Sequence, residues 1–170
     1  KFFGPIDTLV NNAGITRDGL FMRMPEENWL DVMQVNLHST VKLSQMVIRS
    51  MIKNKFGRII NISSIIGSTG NGGQANYAAS KAALLGFSKS LAIEIANRGV
   101  TVNCISPGYI QTEMTDKLSE QQKTVILEKI PAKKIGNPED ISSMALFLSS
   151  IQAHYITGQN IHVNGGMLMP

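Results

Sequence analysis

Gly57-Arg-Ile-Ile-Asn-Ile-Ser63 and Val100-Thr-Val-Asn-Cys-Ile-Ser106 are two short apolar runs, with a long helical pattern between them from near Tyr77 to about Ala96. Asn97-Arg98-Gly99 closes that pattern with glycine in the cap position, where the backbone turns left-handed at little cost. Strand, helix, strand in this order gives two parallel strands, because parallel neighbours need a crossover connection. The alternation continues outward. Residues 7–11 are a short strand running into Asn12-Ala-Gly14, and Pro25-Glu-Glu27 opens a helix to about Val35, with proline in the first turn and acids favouring the helix dipole. A second helix over 39–53 carries Val41, Leu43, Met46, Val47, Ile48 and Met51. Downstream, 107–117 is a loop, a helical stretch follows Ser119, Pro138-Glu-Asp140 opens another helix through Leu148, and 159–163 is the last strand. The expected fold is α/β: a doubly wound parallel sheet with helices on both faces. With no repeat, linker or low-complexity tract, residues 1–170 read as one domain.

Composition removes several function classes. Hydrophobic residues make up 43% and charged residues 16% of 170, which describes a globular chain and not a disordered one. No apolar run approaches the roughly 20 residues that span a bilayer, and no signal-peptide pattern opens the chain. The formal net charge is +4, but Lys53-Asn-Lys55 and Lys133-Lys134 are short and no aromatic residues interleave them, so nucleic acid is not an expected partner. Cys104 is the single cysteine. It cannot form an internal disulfide, which fits a reducing, cytoplasmic setting, and it reads as a small buried hydrophobe. His38, His154 and His162 show no metal-ligand spacing, so no metal is expected. The nine methionines read as core and interface filling.

Chemistry concentrates at Tyr77-Ala-Ala-Ser-Lys81. A tyrosine and a lysine at i and i+4 project from one helix face. An ammonium there favours the phenolate and is expected to pull the Tyr77 pKa down from about 10, making it a proton donor to a carbonyl or an acceptor from an alcohol. Ser64, thirteen residues upstream at a strand end, can hydrogen-bond the same substrate oxygen; Ser63 is its immediate rival. Tyr-x-x-x-Lys alone recurs on many helices as a half-exposed tyrosine beside a solvated lysine, and its company is what carries the signal. Asn11-Asn-Ala-Gly14 closes one strand, Asn36 lies in Val35-Asn-Leu37, Ser64 closes another strand, and Pro107-Gly108 follows a third.

In this order and spacing the set resembles the short-chain dehydrogenase/reductase family, with its Rossmann-like fold. Asn11-Asn-Ala-Gly-Ile-Thr-Arg-Asp18, Gly70-Asn-Gly-Gly-Gln-Ala-Asn-Tyr77 and Ile161-His-Val-Asn-Gly-Gly166 look like the family's 3-oxoacyl-[acyl carrier protein] reductases. The resemblance implies reduction of a carrier-bound 3-oxoacyl chain with NADP(H), in fatty acid biosynthesis. It makes Tyr77 the general acid, Ser64 the group that orients the carbonyl, and Lys81 the residue that tunes Tyr77 and binds the nicotinamide ribose. Asn36 would hold a water that passes protons to Lys81. Asn12, Ala13 and Gly14 would line the cofactor on one side, with Pro107, Gly108, Ile110 and Thr112 on the other. Residues from about Gln111 to Ile130 would form a substrate lid, and Lys55 and Arg98 could meet an acidic carrier protein. The helices over 39–53 and 75–96 are expected to pair with symmetry mates in a homotetramer or dimer.

The resemblance also implies that this is the C-terminal portion of the fold, with the first three strands and their glycine-rich nucleotide turn absent. Gly70-Asn-Gly-Gly73 lacks the spacing to replace that turn and reads as a flexible turn that positions Tyr77. The strand ending at Asn11 should then present an apolar edge. Two other readings stay open: a reductase or dehydrogenase for another carbonyl substrate such as acetoacetyl-CoA, and an inactive fragment that acts as an assembly partner.

Overall fold

The structure, a computed structural model, describes residues 4–112 and 119–170. Strands β1 (Thr8–Asn11), β2 (Gly57–Ile62), β3 (Val100–Pro107) and β4 (Asn160–Val163) lie side by side in that order, each parallel to the next. Helices make the crossovers. Between β1 and β2 run α1 (Glu26–Met33), a π-helical turn (Gln34–His38) and α2 (Ser39–Asn54). Between β2 and β3 run α3 (Ile66–Thr69) and α4 (Ala75–Ile95), and between β3 and β4 run α5 (Glu120–Lys129) and α6 (Pro138–Ser149). The expected α/β, Rossmann-like parallel sheet is what these residues form.

Side chains alternate across a strand, so the register sorts them into two layers. Ile59 is opposite Val102, and both face a core built with Val47 and Met51 of α2 and Ala92 and Ile95 of α4. Ile60 and Ile105 face the other way, onto Leu148 of α6 and Ala153. The helices supply matching stripes: Thr40, Ser44, Val47 and Met51 are buried along α2, and Lys81, Leu84, Ser88, Ala92 and Ile95 along α4. Both stripes follow the three- and four-residue steps of a helix face. Caps set the helix starts. Ser119 and Gln122 exchange hydrogen bonds at the head of α5, and Asp140 accepts from the Asn137 amide ahead of Pro138 in α6.

The inner layer is partly polar. Asn11 donates to Asn61 at 2.8 Å, Asn61 donates to Ser88 at 2.8 Å, and the Cys104 thiol lies 3.1 Å from the same hydroxyl. Burial pushes the Cys104 thiol up, so it stays protonated, as expected of a packing residue. Arg58 is buried on the opposite face, donating to the Gly57 and Ser150 carbonyls and stacking 4.3 Å over Phe56. Sequence patterning gives no sign of this cation, which is held by carbonyl dipoles at the C-terminus of α6. At the sheet edge, Val10 of β1 and the preceding Ile6 are 45% and 54% exposed, the apolar edge expected there.

Three local features depart from the expectations. The helices before and after Asn36 are not broken there, because the chain passes through the π-helical turn without leaving helical geometry. The four-residue helix α3 and the 3₁₀ turns Phe21–Arg23 and Ile151–Ala153 are short elements that the sequence patterns do not announce. Of the expected 107–117 loop, residues 113–118 lie outside the described residues.

Candidate active site

The carboxyl ends of the strands bring the candidate residues together, the place where an open α/β sheet takes its ligands. β1 runs out into Asn12, Ala13 and Gly14, all exposed; β2 ends beside Ser63 and Ser64; β3 ends at Pro107 and Gly108. Helix α4 lies across these ends and presents Tyr77 and Lys81 from successive turns. The Lys81 ammonium sits 5.6 Å from the centroid of the Tyr77 ring. A side chain added at Gly14 would come within 3.4 Å of that ammonium and 3.5 Å of the Asn36 carboxamide oxygen. Gly14, Asn36, Tyr77 and Lys81 therefore share one small volume, and a Cβ at position 14 would rest in van der Waals contact with Lys81 and Asn36.

The two serines separate by their partners. Ser63 is 2% exposed and donates to the Lys81 carbonyl at 2.9 Å, tying the end of β2 to α4. Ser64 accepts the Ile66 amide, and its hydroxyl lies near enough to the Tyr77 phenol to lower its pKa. It also lines a cavity of about 260 Å³ with Ile65, Ile66, Gly108, Lys129 and Met167. Ser63 is thus committed to structure, and Ser64 opens onto space for a substrate.

The electrostatics differ from the simple lysine-lowers-tyrosine expectation. Burial raises the Tyr77 pKa above its ordinary value, the Ser64 hydrogen bond pulls it back, and the Asp18 charge raises it further. The Lys81 ammonium donates instead to the Ile62 carbonyl at 2.8 Å. Burial lowers its own pKa to about 8. A lysine so placed exchanges protons near neutrality.

Asn36 is 1% exposed, and every polar atom of its carboxamide is used. It donates to the Ile15 carbonyl at 3.1 Å and to Ser80 at 3.0 Å, and it accepts the Ile15 amide at 2.8 Å. Neither Ser80 nor Asn76 was singled out from the sequence. Asn76 is fully buried, donates to the Arg17 and Asn28 carbonyls, and caps the Tyr77 amide at 2.8 Å. Their positions flanking Tyr77 and Lys81 were the available signal. Ile110 lies farther off, bridged to Gly136 on the wall of a second cavity of about 250 Å³ with Lys134, Asp140 and Asn164. Thr112 is exposed. Lys55 and Arg98 precede β2 and β3, so within one copy they stand at the opposite end of the sheet from Ser64 and do not rim the site.

A family model described as Enoyl-(Acyl carrier protein) reductase matches residues 1–168. The chain belongs to the short-chain dehydrogenase/reductase family. It is therefore an oxidoreductase of that family, whose members act on a keto group. It is 56% identical over 167 residues to the 3-oxoacyl-[acyl-carrier-protein] reductase FabG of Vibrio cholerae and equally to that of Escherichia coli, covering 98% of this chain and 68% of each relative. It is 52% identical over 164 residues to Nodulation protein G of Rhizobium sp., covering 96% of this chain and 67% of that protein. Among the described residues, no helix is long and apolar enough to cross a membrane.

Proposed function

We propose that this protein reduces the 3-keto group of acyl chains carried on acyl carrier protein to a 3-hydroxyl, with NADPH, in fatty acid biosynthesis in the cytoplasm. The observation that carries the reading is Ser64, which lines a cavity at the strand ends and neighbours the Tyr77 phenol, with Lys81 beside the Tyr77 ring. The names of the 3-oxoacyl-[acyl-carrier-protein] reductase relatives, at 52–57% identity, support the substrate class.

The residues present fit the reacting end of a nicotinamide cofactor. Gly14 brings exposed backbone next to the Lys81 ammonium and the Asn36 carboxamide, where a cofactor can approach closely. Asn12, Ala13 and Gly14 would hold the cofactor from one side, Pro107, Gly108, Ile110 and Thr112 from the other, and Tyr77 and Lys81 the ribose hydroxyls. Bound NADPH supplies the hydride for the keto carbon. Ser64 holds the carbonyl oxygen by hydrogen bond. Tyr77, kept protonated by burial, gives its proton to that oxygen as charge develops there. Lys81, at about 8, returns a proton toward Tyr77. Asn36 holds the water that feeds Lys81. Lys129 and Lys134 line the two cavities at this end and offer positive charge to an acidic carrier protein. Leu43, Met46 and Ile93, exposed on α2 and α4, supply the apolar faces for a homotetramer or dimer.

The test is NADPH consumption by the intact protein with acetoacetyl-[acyl carrier protein], acetoacetyl-CoA and crotonyl-CoA. Turnover is expected with the two 3-keto substrates, faster on the carrier protein, and none with the enoyl thioester. Turnover of the enoyl thioester alone, or of none of the three, would overturn the proposal.

A further inference from the structure

We infer that Ser80 is a positioning residue that holds Asn36 against the helix carrying Tyr77 and Lys81, so that the reactive helix and the π-helical turn act as one unit. The inference rests on the proposed carbonyl reduction. Ser80 is fully buried. Its hydroxyl donates to the Tyr77 carbonyl at 2.8 Å and accepts from the Asn36 carboxamide at 3.0 Å. A hydroxyl has one proton to give, so its direction is settled: spent on Tyr77, it leaves only lone pairs for Asn36. The Asn36 amino group must then face Ser80, and its oxygen must face the Ile15 amide, which it meets at 2.8 Å. Ser80 and the Ile15 backbone thereby agree on one orientation of the carboxamide, and Ser80 ties it to the reactive helix.

The wide turn at 34–38 makes this fastening matter. A π-helical turn is rare, interrupts the regular ladder of backbone bonds and is found often at functional sites. Here it surrounds Asn36, whose carbonyl accepts the Thr40 hydroxyl at 3.3 Å. Ser80 supplies the anchor from outside that turn, from the residue adjacent to Lys81. Without it, a buried amino proton of Asn36 loses its acceptor and the carboxamide is held by Ile15 alone.

The test compares Ser80→Ala, Asn36→Ala and the double variant of the intact protein, in turnover, KM and pH profile. Ser80→Ala is expected to lower kcat about tenfold with KM for the keto substrate within about twofold, and to shift the pH limb of kcat. The double variant is expected to be no slower than Asn36→Ala, because removing the clamp cannot matter once the clamped group is gone. Ser80→Thr, which keeps the hydroxyl, is expected to recover most of the rate. Multiplying losses, or wild-type turnover and pH profile in Ser80→Ala, would overturn the inference. Slow solvent exchange of the Asn36 carboxamide protons in the wild-type protein, read by NMR, tests the clamp even if the variants fail to fold or the wild type reduces no keto substrate. Fast exchange would also overturn it.

Discussion

At the residue scale, adjacent serines with the same side chain have different neighbours. Ser63 feeds its proton to the Lys81 carbonyl, while Ser64 faces Tyr77 and a cavity. Ser63→Ala is expected to cost about 1 kcal/mol of stability, the worth of one buried hydrogen bond, with turnover nearly unchanged. Ser64→Ala should fold and lose about 10²-fold in turnover, as when a donor to a reacting oxygen is removed. Denaturation and kinetics on the pair would check both, and the reverse pattern would contradict the assignment. The thirteen-residue step to Tyr77 pointed to Ser64 from the sequence alone. The state of Lys81 was not legible, because it depends on burial and on the Ile62 carbonyl, neither of which the i,i+4 spacing encodes. Its folded pKa of about 8 lies below the ordinary 10.5, so the unfolded chain binds more protons between those values. The cost of burying this lysine is full below pH 8 and fades as pH rises to 10.5. Lys81→Met is therefore expected to gain stability relative to wild type at pH 7 and to lose that gain by pH 10.5. A pH-independent difference in unfolding free energy would count against this.

At the element scale, strands and long helices were legible because short apolar runs such as Gly57–Ile62 alternate with long stretches closed by cap signals, such as Ala75–Ile95 ahead of Gly99. The turn through Asn36 was read as a break because no residue type announces a π-helical turn, and its bonding is visible only in three dimensions. Helix α3 is too short for any period to show. It nevertheless sets the site, since Gly67 packs directly against the turn of α4 that carries Lys81. A Cβ there would fall 2.9 Å from the Lys81 carbonyl carbon and 3.0 Å from the Ala82 nitrogen. Gly67→Ala should push α3 off α4 and cost about 1–3 kcal/mol, the usual penalty of overpacking, with a parallel fall in turnover. Thermal unfolding would measure it; an unchanged midpoint would mean that the two helices have room to part.

At the scale of the whole molecule, two layers of helix sandwich the parallel sheet, and the strand ends gather residues that lie far apart in sequence. In the proposed assembly the exposed Met46 and Ile93, 77% and 83% accessible, would face a second copy. Light scattering on the intact protein is expected to give a dimer or tetramer, and Met46→Glu a smaller species; a monomeric wild type would contradict the assembly. In the proposed mechanism the chemistry converges on one proton, that of the Tyr77 phenol. The most direct measurement is therefore the rate of NADPH consumption with a 3-oxoacyl substrate in wild type and Tyr77→Phe, with NADPH binding followed on both. Binding within a few-fold and turnover lower by about 10²–10⁴-fold is the expected result for a lost acid group. Near wild-type turnover in Tyr77→Phe would contradict the assignment of Tyr77 as the proton donor.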